Sequence, residues 1–278
     1  MSRQTGACFR KEILAYLRSR SFLAIACVII GLSILSPVLI AALSSLMSVM
    51  GDLYTQVDSD IPDMSSITEY SSTGVASSIS DITSAGLIVI LILLNKAAGG
   101  EQKKRAVIIP RSAGLQNFSY LFPKYIIYPL SALFLTIISI IISWITSGLI
   151  FNTDDLVFSN VLVSGVLVGT ALMFYVCLHL TIGTATGQAG MSAVVCILLS
   201  LILPLVFAAV DMGYMFNPFA LELIATTVLH SHPIPATQLL DIFISVAFAL
   251  GIMVTSFFIA LFAQNARRID NTGDEIVL

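Results

Sequence analysis

Charge is the scarcest property of this 278-residue chain: Asp, Glu, Lys and Arg together make up 10% of it, against about 25% in a typical soluble domain. Hydrophobic residues make up 57%, and the mean hydropathy is +0.98. No soluble fold covers that much apolar surface, so the composition points to an integral membrane protein. The long hydrophobic runs also lack the apolar–polar alternation that a transmembrane barrel strand needs. The fold class expected is therefore all-α and polytopic. Cysteine is sparse. Cys8 lies in a basic amino-terminal segment, and Cys27, Cys177 and Cys196 lie inside apolar runs. With no CxxC and no ligand spacing they outline neither a disulfide framework nor a metal centre, and they read as single buried thiols.

Catalytic motifs are missing as well. The chain contains no GxSxG, no HExxH and no GxxxxGK[ST]. Hydrolysis of ATP in the P-loop manner is thereby excluded, and neither an enzymatic activity nor a bound cofactor or metal is expected of this chain. His179 falls inside an apolar run, where it is either a proton site or a packing residue. His230 and His232 flank Ser231 ahead of Pro233 and Pro235; two imidazoles are an incomplete metal shell, and the prolines suit a turn. The predicted helix interiors hold almost no other ionisable group: Lys96 ends the second and Asp241 begins the sixth. Carriers driven by ion gradients usually place such groups at mid-membrane, where the coupling ion binds. Active transport by this chain would draw its energy from outside the bilayer.

What is present is a series of apolar runs with basic residues on one side only. Residues 1–21 carry Arg3, Arg10, Lys11, Arg18 and Arg20, with Phe9, Ile13, Tyr16 and Leu17 at helical spacing on another face. This predicts a helix lying in the cytoplasmic interface rather than a cleavable signal. Six spans follow, over 22–43, 82–98, 125–151, 161–182, 191–210 and 238–263. The first makes about 33 Å of helix, enough for a bilayer core. Ser44–Asp81 carries Asp52, Asp58, Asp60, Asp63, Glu69 and Asp81 with no base, and reads as an outer loop, either simply solvated or able to attract a cationic substrate. Gly165 and Gly169 have the small-xxx-small spacing of close helix contacts. Phe219–Leu229 is apolar but too short to span, and reads as a re-entrant or interfacial element. Residues 264–278 form a tail. In this topology all 13 Lys and Arg fall on one side. The positive-inside rule then places both termini of this single transmembrane domain over 1–278 in the cytoplasm, and the plasma (inner) membrane is its expected location.

Residues 99–124, GGEQKKRAVIIPRSAGLQNFSYLFPK, are the strongly basic interruption between the second and third spans, with Lys103, Lys104, Arg105, Arg111 and Lys124 against one acid, Glu101. The lead-in RKEILAYLRSRSF (Arg10–Phe22) comes first. Glu101, Ile108–Ile109, Pro110, Ser112 and Lys124 come next, and Asn217-Pro218-Phe219 later. In this order and topology the chain resembles the permease subunit of type-2 ABC transporters over nearly its whole length. It departs from the common pattern in a longer interval from Pro110 to Lys124 and in Pro123, where glycine is frequent. The resemblance implies a six-span exporter fold with an amino-terminal elbow helix and an outer re-entrant segment. It implies coupling to a separate ABC ATPase through Glu101, Arg105, Ile108, Ile109, Pro110, Arg111 and Ser112. It implies a second permease copy, identical or related, with ATP and Mg held by the partner ATPase and a peptide, antibiotic or other amphipathic compound as cargo. The basic residues of the loop can instead set orientation and bind anionic membrane lipid, and Glu101 suits a local ion pair or helix cap. No nucleic-acid partner is expected. Two other readings stand beside this one. A secondary transporter needs ionisable groups at mid-membrane; a scaffold or assembly protein without a transport cycle needs a polar cluster or partner surface.

Overall fold

In hydrocarbon every backbone N–H and C=O must find its partner within its own segment, so long apolar runs become helices. The computed structural model describes residues 3–55, 71–100, 114–151, 156–209, 220–230 and 236–274, and among these residues there is no strand. Helix α1 is Arg3–Leu17 and α2 is Arg20–Thr55. Then come α3 (Ser71–Asp81), a π-helical turn at Ile82–Gly86, α4 (Leu87–Leu93) and a second π-helical turn at Lys96–Gly100. Helix α5 is Asn117–Ile150, α6 is Phe158–Thr186 and α7 is Ala189–Ala209. The short α8 is Leu221–His230, and α9 is Ala236–Asp274. Among the described residues, five stretches are long and apolar enough to cross a membrane: Arg20–Leu46, Ser71–Gly100, Asn117–Ile150, Phe158–Thr186 and Leu239–Ala266. The protein is all-α, with the architecture of a multi-pass membrane protein.

The helices outrun the apolar runs that predict them. Helix α2 continues beyond residue 43 to Thr55, and α3 occupies Ser71–Asp81, so both ends of the expected outer loop are helical. The reason is local. Ser44 and Ser45 donate to the Ala41 carbonyl at 2.9 and 2.7 Å, Ser78 to Gly74 at 3.0 Å and Ser84 to Ser80 at 2.6 Å. Hydroxyls bonded back to the preceding turn let Ser and Thr stay in a helix. Likewise α5 begins at Asn117, so residues 117–124 of the expected 99–124 loop are helix, and α9 takes in residues 264–274 of the expected tail.

Helix α6 is the centre. Of its most apolar stretch 72% is buried, against 28% for α2 and 22% for α9, which lie at the rim. Its small residues permit this. A Cβ on Gly169 would stand 2.7 Å from Leu133 Cδ1 and 3.1 Å from the Leu133 carbonyl, and one on Gly165 would touch Ile137 and Ile140 of α5. The small-xxx-small spacing thus marks a real close approach. Gly187 ends α6 at φ +69°, returning its N–H to the Gly183 carbonyl at 2.9 Å. Hydroxyls join α2, α3 and α5: Ser33 pairs with Ser139, which also reaches the Ile29 carbonyl at 2.9 Å, and Ser143 donates to Ser78 at 2.7 Å.

Candidate functional site

Residues 101–113 lie outside the described residues, and with them all seven expected coupling residues: Glu101, Arg105, Ile108, Ile109, Pro110, Arg111 and Ser112. Their anchors are described, and they meet at one buried polar junction. Lys124, expected to close a loop, is in the second turn of α5 and is 1% exposed. Its Nζ donates to Tyr120 Oη at 2.9 Å and to the Ala97 carbonyl at 3.4 Å. It stands 3.7 Å from Glu12 Oε1 of α1, which also accepts from Tyr128 Oη at 3.1 Å. The ion pair is longer than a direct charge-assisted hydrogen bond, so the tyrosine hydroxyls complete the shells of both ions.

The junction joins three elements. Beside the ion pair, Thr5 and Ser119 share a hydrogen bond of 3.0 Å between α1 and α5. Ser131 Oγ is 3.0 Å from Tyr16 Oη and 2.7 Å from the Tyr128 carbonyl, and the Tyr16 ring packs edge-on against Phe22 and Tyr128. Burial raises the Tyr16 pKa, and the Ser131 contact offsets part of the rise. The expected apolar face of α1 is thus corrected: Phe9 and Ile13 pack on the core and Tyr16 is buried, but Leu17 is 54% exposed, while Thr5 and Glu12 turn inward. Arg10, Lys11 and Arg18 remain exposed, as the sequence pattern predicts.

The third element is the π-helical turn Lys96–Gly100. A π turn leaves a carbonyl without its ordinary i+4 donor, and Lys124 reaches into this one at Ala97. Gly183 of α6 is pressed onto the same turn: a Cβ there would stand 2.6 Å from the Ala98 carbonyl. Across residues 101–113, Asn117, Ser119 and Leu121 are buried, and Asn117 Nδ2 donates to Asn265 Oδ1 of α9 at 2.7 Å. The flank before residues 101–113 is therefore held by α5 and α6, and the flank after them by α1 and α9. The arrangement holds a neutralised pair of charges as a strut between α1, α5 and the end of the second apolar helix.

A second polar region brings residues of the expected outer segments against the helices. Asn160 Nδ2 donates to the Val228 carbonyl at 3.2 Å and Ser164 Oγ to the Ala225 carbonyl at 2.7 Å. Helix α8 thus runs antiparallel along α6, with its first residues deepest. Glu222, expected in an outer segment, lies near Tyr175 in the middle part of α6 and near Thr83 in the first π turn. Asp81, expected in the outer loop, accepts from Ser36 of α2 at 2.5 Å. His179 is 0% exposed, and neither ring nitrogen has a hydrogen-bond partner among the described residues; the Ser192 backbone lies alongside, outside hydrogen-bond geometry. Asp241 is half-buried near the start of α9 and Lys96 is exposed. His230 is exposed at the end of α8, and His232 lies outside the described residues. Periodicity could not reveal the Glu12–Lys124 pair, since the two are 112 positions apart; the only signal was an acid in a basic helix and a lysine beside an apolar run.

Compared with known proteins, the chain matches no family model and no curated protein.

Proposed function

We propose that this chain is the membrane subunit of an ATP-driven exporter, receiving force at residues 101–113 from a separate nucleotide-binding subunit. In this reading α1 is the interfacial elbow, α7 is a sixth span beside the five longer ones, and α8 is a re-entrant helix from the outer side. Both termini face the cytoplasm, where the 13 Lys and Arg residues gather. A second copy or a related chain completes the path, and the cargo is an amphipathic compound such as a peptide or antibiotic. The observation that carries the reading is the buried Glu12–Lys124 strut at the flank of the basic segment. A push on residues 101–113 meets a rigid joint shared by α1, α5 and the π turn, so it moves helices rather than dissipating in a loop.

The experiment is purification of the tagged chain from its native membrane in mild detergent, with mass spectrometry of what accompanies it. A stoichiometric ATPase is expected, and Glu101→Gln is expected to lower its transport-coupled turnover. Recovery of the chain alone in several detergents would overturn the reading. A second reading, an ion-coupled carrier, is favoured by one observation: Glu222 and His179 are ionisable groups deep among the helices. It expects uptake or efflux that follows a pH gradient without ATP and is abolished in Glu222→Gln or His179→Ala. The exporter reading expects His179→Ala to transport nearly normally.

A further inference from the structure

We propose that the break between α1 and α2 is a binding site for one anionic phospholipid of the leaflet that α1 faces. Ser19 makes the break: its Oγ accepts the Phe22 N–H at 3.1 Å and starts α2. A cavity of about 790 Å³ opens there, with Arg18 and Arg20 at its mouth and Leu23, Cys27, Gly31 and Ile34 along its length. A second cavity of about 590 Å³ shares Cys27, Gly31 and Ile34 with the first and continues to Val38. No acid lines either one. Neither arginine forms an ion pair among the described residues, and both are exposed.

The dimensions select the occupant. From Arg20 to Ile34 the helix rises about 21 Å. One leaflet with its headgroup region is about 20–22 Å thick. The cations stand at the polar end of that length and the apolar lining fills the rest, which is the charge and length pattern of a single phospholipid. The second cavity prolongs the first along α2, which suits the length of an acyl chain. Gly31 leaves the lining without a side chain at its middle; a Cβ added there meets nothing within 4 Å, so a long side chain would project into the open space. A second copy of the chain fits this face less well. A two-fold axis along the membrane normal would set Arg18 and Arg20 of both copies at the same depth, facing their own kind.

The test uses the full-length chain in nanodiscs of phosphatidylcholine, alone or mixed with phosphatidylglycerol, and native mass spectrometry of lipid retained on release. The wild type is expected to retain phosphatidylglycerol over phosphatidylcholine by about 30-fold, the combined preference of two surface cations. Arg18→Gln/Arg20→Gln is expected to bring the ratio near one. Gly31→Leu keeps both arginines and blocks the chains, and is expected to lose retained lipid of both kinds. Equal retention of the two lipids by the wild type would overturn the proposal. So would undiminished phosphatidylglycerol on Gly31→Leu, which would mean a headgroup contact without a seat for the chains. Oxidative cross-linking of Cys27 to Cys27 in membranes, in a Cys8→Ser background, would give this face to a second copy instead. The proposal needs α2 in a membrane and nothing of the ATPase partnership, so failure to recover an ATPase leaves it standing.

Discussion

Lys124 and Glu12 are 1% and 8% exposed, so truncating either leaves the other as an uncompensated buried charge. Breaking such a pair costs about 3–5 kcal/mol. Glu12→Gln and Lys124→Met are each expected to lower thermal stability in detergent by that order. The double variant should lose clearly less than the sum, because the second change removes the charge that the first stranded. Additive losses would show that the two ions do not sense each other. Glycines give a sharper contrast. A methyl on Gly183 would meet the Ala98 carbonyl at 2.6 Å, whereas one on Gly31 meets nothing. Gly183→Ala is expected to destabilise by about 1–3 kcal/mol through a forced backbone shift. Gly31→Ala is expected to stabilise by about 0.5–1 kcal/mol through the lower helix cost of alanine. Both are read from unfolding midpoints of the purified chain.

At the scale of elements, α8 depends on its neighbour. Ten residues form too short a helix to persist alone, and two side-chain bonds from α6 fasten its carbonyls at Val228 and Ala225. Interhelical hydrogen bonds in membranes average about 0.6 kcal/mol. Asn160→Ala/Ser164→Ala is therefore expected to speed hydrogen exchange across Leu221–His230 severalfold while leaving the amides of α6 slow. Unchanged exchange in α8 would mean that its apolar face, with Leu221, Ile224, Ala225, Val228 and Leu229 buried, holds it without them. The break of the second apolar helix by two π turns belongs to this scale too. Neither turn has a sequence signature of its own, for Ile-Thr-Ser-Ala-Gly and Lys-Ala-Ala-Gly-Gly share only the final Gly and small residues before it. What places the second is its surroundings, Lys124 on one carbonyl and Gly183 against the next.

For the whole molecule, sidedness is the property with the most consequences. Arg18 and Leu149 are exposed at opposite ends of the bundle, Leu149 by 84%. In a cysteine-free background, Leu149→Cys is expected to react with an impermeant maleimide in intact cells, and Arg18→Cys only after permeabilisation. The reverse pattern would invert the orientation, put residues 101–113 outside and remove the ATPase reading with it.

The sequence by itself determined the class and the helices. Scarce charge and long apolar runs leave no other way to satisfy a backbone in hydrocarbon, and the spacing of Gly165 and Gly169 already marked a close helix contact. Helix ends were less legible, since serine and threonine look like loop residues until their hydroxyls are seen bonded to the preceding turn. Only the tertiary structure decided which polar residues are buried together. Glu12, Lys124 and Tyr128 come from distant positions on two helices, and Ser33 and Ser78, from two more, meet Ser139 and Ser143. A one-dimensional pattern records that each residue is polar, and only packing supplies the partner that lets it leave water.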